Sequence, residues 1–469
     1  MVAALAGCTA ILGFDKDVFE QGREPGEGGS SGDGGSPADG EASPVESRGI
    51  VDPSFGDGGS AVIPTELPWS ANHIGAQDDC TAAVDASERI LVACATNRAS
   101  PPGQIALLTR AFRVSSGGGL DTDFGSADGG GVRTSEYVPH IVTRPNGGVL
   151  LVGYETTPTL GYSEMGKNIV VSLAAAGQPD PTFADAGRLS APLTTDTEND
   201  AFVAATTVGD TALLTARVAM RDGVYGALQL GSAWVELDPS TGRFTRLVSA
   251  RPPAFQNDFA TSAARVGPRT VLFGAAVTTG YSYSSISLTA YDGDTLDTSF
   301  GDAGRSLKRI LDSDYTVRTV GVVGTSPERY LASASVAADG GALVQFLANG
   351  QPDPPFGDGG VKPFPVAPVD PPGRLDVRST LLAPDGKILV AGSLVFGNES
   401  RRAFIVRMNA AGDVDPTFGK DGWIIPTFGR DTGDSTFWQI SFTKNGSLLA
   451  VATVVGVSGT RDMHVFRFR

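Results

Sequence analysis

The chain has 469 residues and a formal net charge of −16, a sign that repels phosphate backbones and anionic headgroups at long range and argues against nucleic acid as a partner. Its 61 Gly and 30 Pro make about one residue in five, yet 41% of residues are hydrophobic, a content that excludes a disordered chain and suits many short buried strands joined by tight turns. No stretch approaches the ~18 consecutive apolar residues of a membrane span.

The N-terminus reads Met1-Val2-Ala3-Ala4-Leu5-Ala6-Gly7-Cys8. Leu5-Ala6-Gly7-Cys8 resembles the lipobox of bacterial lipoproteins, which implies cleavage before Cys8 and lipid attachment to it. An export signal also needs a basic start and an apolar run of ~7–15 residues, so residues 1–8 are read as a truncated lipoprotein signal whose start lies further upstream. The alternative is an ordinary disordered tail. Residues 9–48 are dominated by Gly, Ser, Asp, Glu and Pro, as in Gly28-Gly29-Ser30-Ser31-Gly32-Asp33-Gly34-Gly35. Such a segment cannot bury enough apolar surface to offset its ordering entropy and is expected to be a flexible acidic tether.

From Asp52 onward one motif recurs. Asp52-Pro53-Ser54-Phe55-Gly56-Asp57-Gly58-Gly59 returns around Asp121 and Phe124, Asp180 and Phe183, Asp297 and Phe300, Asp353 and Phe356, and Asp415 and Phe418. A worn copy runs from Asp238 to Phe244. The marker Phe recurs every 56 to 69 residues, which means a repeat architecture of seven units over residues 49–469.

The sixth unit shows the grammar most clearly: a short apolar piece from Val361, a strand Arg378–Ala383, a Pro384-Asp385-Gly386-Lys387 turn, a strand Ile388–Gly392 and a last strand Ala403–Met408. Asp and Gly supply the positive φ that tight hairpin turns need. Strands such as Leu389-Val390-Ala391 are apolar at consecutive positions, so both faces of each sheet are covered. The expected fold is all-β, a seven-bladed β-propeller of four-stranded antiparallel blades; another closed or stacked β-repeat array is the alternative. The first motif lacks a preceding strand and Arg469 ends a fourth strand, so Asp52 is expected to close the ring against the C-terminal strand. The short strand after each Gly-Gly is expected to lie innermost.

Asp-x-x-Phe-Gly-Asp-x-Gly, followed some thirty residues on by Pro-Asp-Gly-Lys-Ile-Leu-Val-Ala-Gly, resembles the delta-60 repeat family. The resemblance implies a propeller-like β domain in exported bacterial proteins, with no assigned catalytic residues. Two copies depart from it: the third has Ala184 for Gly, and the fourth has lost Phe-Gly at the usual distance. A distorted blade is expected there.

The motif Asp is read as structural, its carboxylate fixing the turn into the next unit while Phe packs between blades and Gly56 supplies positive φ. Paired acids such as Asp52 with Asp57, or Asp353 with Asp358, could instead offer oxygens to Ca²⁺. The second acid drifts to Asp128 and Asp421 in other copies, which favours the structural reading and no metal. Cys80 and Cys94 flank a hairpin that makes them cross-strand neighbours; a disulfide and two buried free thiols both fit. His73, His140 and His464 do not lie at metal-ligand spacing. No catalytic residue is assigned.

The least uniform segments join the last two strands of each unit. They carry Tyr162, Arg221, Tyr225, Tyr281, Tyr283, Arg401 and Arg402, which would share one rim suited to recognition. The expected function is a lipid-anchored binding or scaffolding module of the bacterial cell envelope, an outer-membrane lipoprotein facing periplasm or surface. It would bind a protein or glycan and meet the membrane through its anchor only. An envelope hydrolase or lyase with a site on the propeller axis, and a purely structural surface protein, are the alternatives.

Overall fold

Strands with consecutive apolar residues are buried on both faces: in the computed structural model every residue of Ile388–Val395 and of Leu448–Val455 is buried. The structure describes residues 49–469 apart from 69–78, 100–104, 126–129, 157–164, 191–192, 194–196, 222–227, 251–257, 280–281, 311–316, 326–327, 337–339, 384, 398, 429–433 and 456–459. The described strands form seven antiparallel sheets, the blades of a seven-bladed β-propeller.

The inner strands of blades 1 to 7 are Asp79–Val84, Tyr137–Thr143, Thr197–Val208, Asp258–Val266, Val317–Thr325, Arg374–Leu382 and Ser435–Phe442. Each touches its neighbours on both sides, and that of blade 7 touches that of blade 1, so the ring is closed. Blade 6 shows the order within a blade: Arg374–Leu382, Ile388–Val395, Arg401–Met408 and an outer strand Trp423–Ile424. Separate apolar clusters fill the interfaces between adjacent blades, such as Phe418, Phe437 and Ala450 between blades 6 and 7.

The expected closure is present. Ser60–Pro68 pairs with Thr460–Phe468, with Ser60 opposite Phe466 and Ile63 opposite Met463. The placement of the short strand is corrected. It is the outermost strand, because the motif turns the chain back along the free edge of the preceding strand. A strand as short as Trp423–Ile424 can cover an edge but cannot span the wall of the axis. The wall is built instead by the strand before each hairpin, which carries small residues such as Ala82, Ala204 and Ala263 where seven blades converge. The sequence unit is thus one strand out of phase with the blade. The strand ending at Phe468 is the third of blade 7, and Ser60–Pro68 supplies its fourth.

The worn motif does not distort its own blade. Blade 3 keeps all four strands, Thr197–Val208, Thr211–Arg221, Leu228–Leu237 and Phe244–Ala250, paired in order, with its second and third strands in unbroken register. Ala184 takes the left-handed conformation of the glycine it replaces, with φ of 44°. The irregularity lies in blade 4, where Ser282–Asp292 pairs with two separate pieces, Thr295–Leu296 and Arg305–Arg309.

Candidate functional site

The repeated motif forms a joint. Asp52 Oδ1 accepts hydrogen bonds from the Ser54 backbone N–H and from its Oγ at 2.7 Å, and Asp180 and Asp415 do the same with Thr182 and Thr417. The second carboxylate oxygen takes an arginine: Arg467 on Asp52, Arg113 on Asp121, Arg144 on Asp180, Arg269 on Asp297, Arg329 on Asp353 and Arg407 on Asp415. Five of these guanidinium groups also lie 4.7–5.8 Å from the centroid of the motif Phe. The Thr182 hydroxyl, Arg144 and the Thr182 N–H hold Asp180 down to about 2. Burial alone would raise Asp415, but Thr417, Arg407 and Lys387 bring it to about 2.

The joint links blades as well as strands. Arg467 donates to the Ser116 carbonyl at 2.7 Å and Arg113 to that of Ala175, each in the next blade. The motif Gly56 N–H bonds Gly117 O at 2.8 Å, Gly125 bonds Ala176 O, and Ala184 bonds Thr241 O. The turn reached in this way needs glycine, because a Cβ on Gly242 would sit 2.9 Å from the Phe183 ring at a φ of 73°. Blade 3 meets blade 4 differently. Trp234 packs on Tyr291 with centroids 6.1 Å apart, and Arg246 pairs with Asp294 at 2.7 Å. The second acids Asp57 and Asp358 are exposed, as is the displaced Asp421; Asp128 lies outside the described residues. Among the described residues no three His, Cys, Asp or Glu converge on one point.

The feature the sequence did not disclose is the axial channel, a cavity of about 360 Å³. Its wall is made by β-bulges in the inner strands. Register slips between Phe202 and Ala204, Ala260 and Ser262, Val377 and Ser379, and Phe437 and Gln439. A regular strand sends neighbouring residues to opposite faces; a bulge re-aims one of them. Hence Arg378 and Ser379, and Trp438 and Gln439, line the channel as adjacent pairs. Gly392, opposite Val377, makes the bulge possible, since a Cβ there would overlap the Asp376 carbonyl. One signal was present. The sixth residue before each hairpin turn is Cys80, Pro139, Val203, Thr261, Arg378 and Trp438 in blades 1–4, 6 and 7, a varied column among otherwise small residues.

The wall is unequal. Blades 6 and 7 present Arg378, whose guanidinium lies 4.7 Å from the Trp438 ring centroid. Gln439 spans to blade 1, accepting from the Ala82 N–H at 2.7 Å and donating to its carbonyl at 3.0 Å. Across the ring, blades 3 and 4 present Ala204, Ala205, Ser262 and Ala263. Blade 2 adds His140, lowered to about 4 by burial against the opposing pull of Asp79, so its imidazole is neutral at neutral pH. Tyr137 donates to Asp79 Oδ2 at 2.6 Å and packs on Tyr154, 5.1 Å between centroids. Burial and Asp79 push Tyr154 up to about 12.

Cys80 and Cys94 face each other in register and are bonded. Of the expected rim, Arg401 is engaged within blade 6, donating to Asp376 Oδ2 at 2.6 Å and to Ser393 Oγ at 3.1 Å. Arg402 is exposed and lies over Phe396. Arg221 and Tyr283 lie in strands, Thr211–Arg221 and Ser282–Asp292. Tyr162, Tyr225, Tyr281, His73 and Cys8 lie outside the described residues, as do Arg221 and Tyr283 beyond their backbone.

Residues 383–418, one hairpin and the motif after it, match a family described as "Domain of unknown function (DUF5122) beta-propeller". No curated protein matches the chain. Among solved structures, an ulvan lyase of polysaccharide lyase family PL25 is 10% identical, with a TM-score of 0.47 over 86% of this chain and 94% of that one. An α-L-arabinanase of Penicillium chrysogenum is 12% identical, with a TM-score of 0.44 over 76% and 99%. Prolyl oligopeptidase B of Galerina marginata is 11% identical, with a TM-score of 0.41 over 87% and 48%.

Proposed function

We propose that this chain is an exported, lipid-anchored β-propeller of the delta-60 repeat type that acts as a binding module in the bacterial cell envelope, with the axial channel as its ligand site. The unequal wall carries this reading. A channel filled only for stability would repeat similar side chains around the ring, whereas here Arg378, Trp438, Gln439 and His140 face a side cleared by Ala204, Ala205 and Ala263. A few placed polar groups over a small concave volume are the mark of a ligand pocket. The Cys80–Cys94 bond fits an oxidising compartment. Cys8 and the acidic tether of residues 9–48 provide the attachment and the reach.

A hydrolase or lyase on the same axis is the second reading, favoured by a neutral His140 on the channel wall beside the Asp79–Tyr137 pair. The two separate by assay. Purified full-length protein is screened for binding, and for turnover, against envelope glycans and peptides. Saturable binding without turnover supports the module. Turnover lost in His140→Ala but not in Arg402→Ala reverses the order. For the anchor, a gene product extended upstream is grown with radioactive fatty acid; label lost in Cys8→Ala supports attachment, and an unlabelled parent chain ends it.

A further inference from the structure

We infer that the peptide bond between Asp370 and Pro371 is a self-cleavage site, at which the folded chain nicks itself in mild acid into two pieces that the ring holds together. Asp–Pro bonds follow Asp52, Asp180, Asp238, Asp353, Asp370 and Asp415. Such a bond breaks through its own carboxyl group, which closes a five-membered ring onto the carbonyl carbon, so the nucleophile is already in place. What separates these bonds is how each carboxyl group is held.

The carboxylates of Asp52, Asp180 and Asp415 accept from the backbone N–H and the hydroxyl of the residue two positions on, and each meets an arginine. Asp353 meets Arg329 and accepts from Gln345 Nε2 at 2.6 Å. Asp238 accepts from the Ser240 N–H at 2.8 Å and from Thr241 Oγ1 at 2.7 Å. Their carbonyls are fixed as well. Each accepts the N–H three or four residues on, as Asp180 O does from Phe183 at 3.1 Å and Asp238 O from Gly242 at 2.9 Å. A proline nitrogen released inside such a turn stays beside the carbonyl and closes the bond again.

Asp370 differs. It is exposed, and among the described residues it has neither a hydrogen bond nor an ion pair. Pro371 and Pro372 are exposed beside it, so a released nitrogen can turn into solvent. The buried residues that anchor this connection, Ala367 before the bond and Gly373 after it, fall on different pieces. Cutting between them unseats neither blade.

The step balances with water alone. A carboxyl oxygen of Asp370 attacks the Asp370 carbonyl carbon; the C–N bond breaks, and its electron pair goes to the Pro371 nitrogen, which takes a proton from solvent. Asp370 is left as a cyclic anhydride and Pro371 as a new amino terminus. Water then opens the anhydride to two carboxyl groups. Acid is needed because an amide nitrogen leaves only when protonated, and the tertiary nitrogen of proline takes that proton more readily than a secondary one. Residues 1–370 and 371–469 become separate chains. Ser60–Pro68 stays paired with Thr460–Phe468 across the cut, and the cluster of Leu343, Phe356, Ile388 and Phe404 still joins blades 5 and 6.

Full-length protein is incubated at the lowest pH that leaves its circular dichroism unchanged, beside a sample in guanidinium chloride at that pH, until the denatured sample has been cut. Peptide masses report each Asp–Pro bond. In the folded protein the Asp370 bond is expected to be cut at least about tenfold faster than the others, which react only after local opening; in denaturant the rates should draw together. Asp370→Asn keeps the shape and removes the carboxyl group, so it should abolish the cut and melt like the parent. Gel filtration at neutral pH should show the nicked protein at the size of the intact chain, with two fragments in denaturing electrophoresis. A folded protein uncut at Asp370 when the denatured one is cut, a motif bond cut first, or a cut that persists in Asp370→Asn overturns the inference. Fragments that part on gel filtration overturn the claim that the ring holds them.

Discussion

Arg467 Nε donates to Asp52 Oδ2 at 2.8 Å, joining side chains 415 positions apart. This contact and the strand pairing beside it fasten the two ends of the described ring. Removing one partner of such a shielded pair leaves the other charge unmatched, which typically costs 3–5 kcal/mol. Both side chains are partly exposed, so Arg467→Ala is expected to cost about 2–3 kcal/mol in denaturant unfolding. Deleting Met463–Arg469 removes the central strand of that seam and is expected to abolish the cooperative transition. A deletion variant that melts like the parent would refute closure by this strand.

Lowering the pH should weaken the fold in two stages. His464 is buried, packed against Phe428 and Phe466, and among the described residues neither ring nitrogen has a hydrogen-bond partner. Burial lowers it to about 4 from 6.5. The unfolded chain therefore takes up that proton first, and stability falls as pH drops from about 6.5 to about 4, by on the order of 3 kcal/mol for this group. Below that range Asp180 and Asp415, both held at about 2, lose their contribution as they protonate. His140, lowered by burial to about 4 as well, acts over the same range, so His464→Leu should remove about half of the first stage and leave the second. Urea midpoints at pH 7, 5, 3.5 and 2 check this, and an unchanged slope between pH 6.5 and 4 in the variant would contradict it.

Ala184 sits at φ of 44° where other copies of the motif have glycine. A non-glycine residue there costs about 1–2 kcal/mol, partly offset by the greater freedom of glycine in the unfolded chain. Ala184→Gly is expected to stabilise the domain by roughly 0.5–1 kcal/mol. A fall in the urea midpoint would show that the strain is absent.

The Cys80–Cys94 bond closes a short loop between the first two strands of blade 1. Loops of this length contribute about 3 kcal/mol in the chain-entropy picture. The Cys80→Ser, Cys94→Ser double variant should unfold at lower denaturant by a comparable amount, and the parent should match it under reduction. Free thiols at both Cys80 and Cys94 under denaturing, non-reducing conditions would exclude the bond.

The fold was legible because each unit repeats local rules: a turn with Asp and Gly, apolar runs covered on both faces, and an Asp–Phe–Gly motif whose spacing counts blades. Which strand faces the axis was not, because a short strand after a turn can pair on either side until the rest of the ring is in place. The arginines of the joint also escaped notice. Arg113, Arg407 and Arg467 come from third strands, Arg269 and Arg329 from the start of second strands and Arg144 from the end of a first. They share a place in space but not in the repeat. The channel was hidden for a related reason. Arg378 and Trp438 read as ordinary strand residues, and only the bulge shown by the pairing of Val377 with Gly392 and Ser379 with Ala391 turns Arg378 inward.

The most direct measurement fills the channel. Ala204 lies on its wall, so Ala204→Phe projects a ring into the cavity without cutting a blade. Full-length parent and variant are screened by thermal shift against the same set of neutral, anionic and cationic small molecules, after circular dichroism has shown that both are folded. At least one compound is expected to raise the melting temperature of the parent and leave that of the variant unmoved. Compounds that shift both proteins equally, or a screen in which nothing shifts the parent, would contradict an axial ligand site.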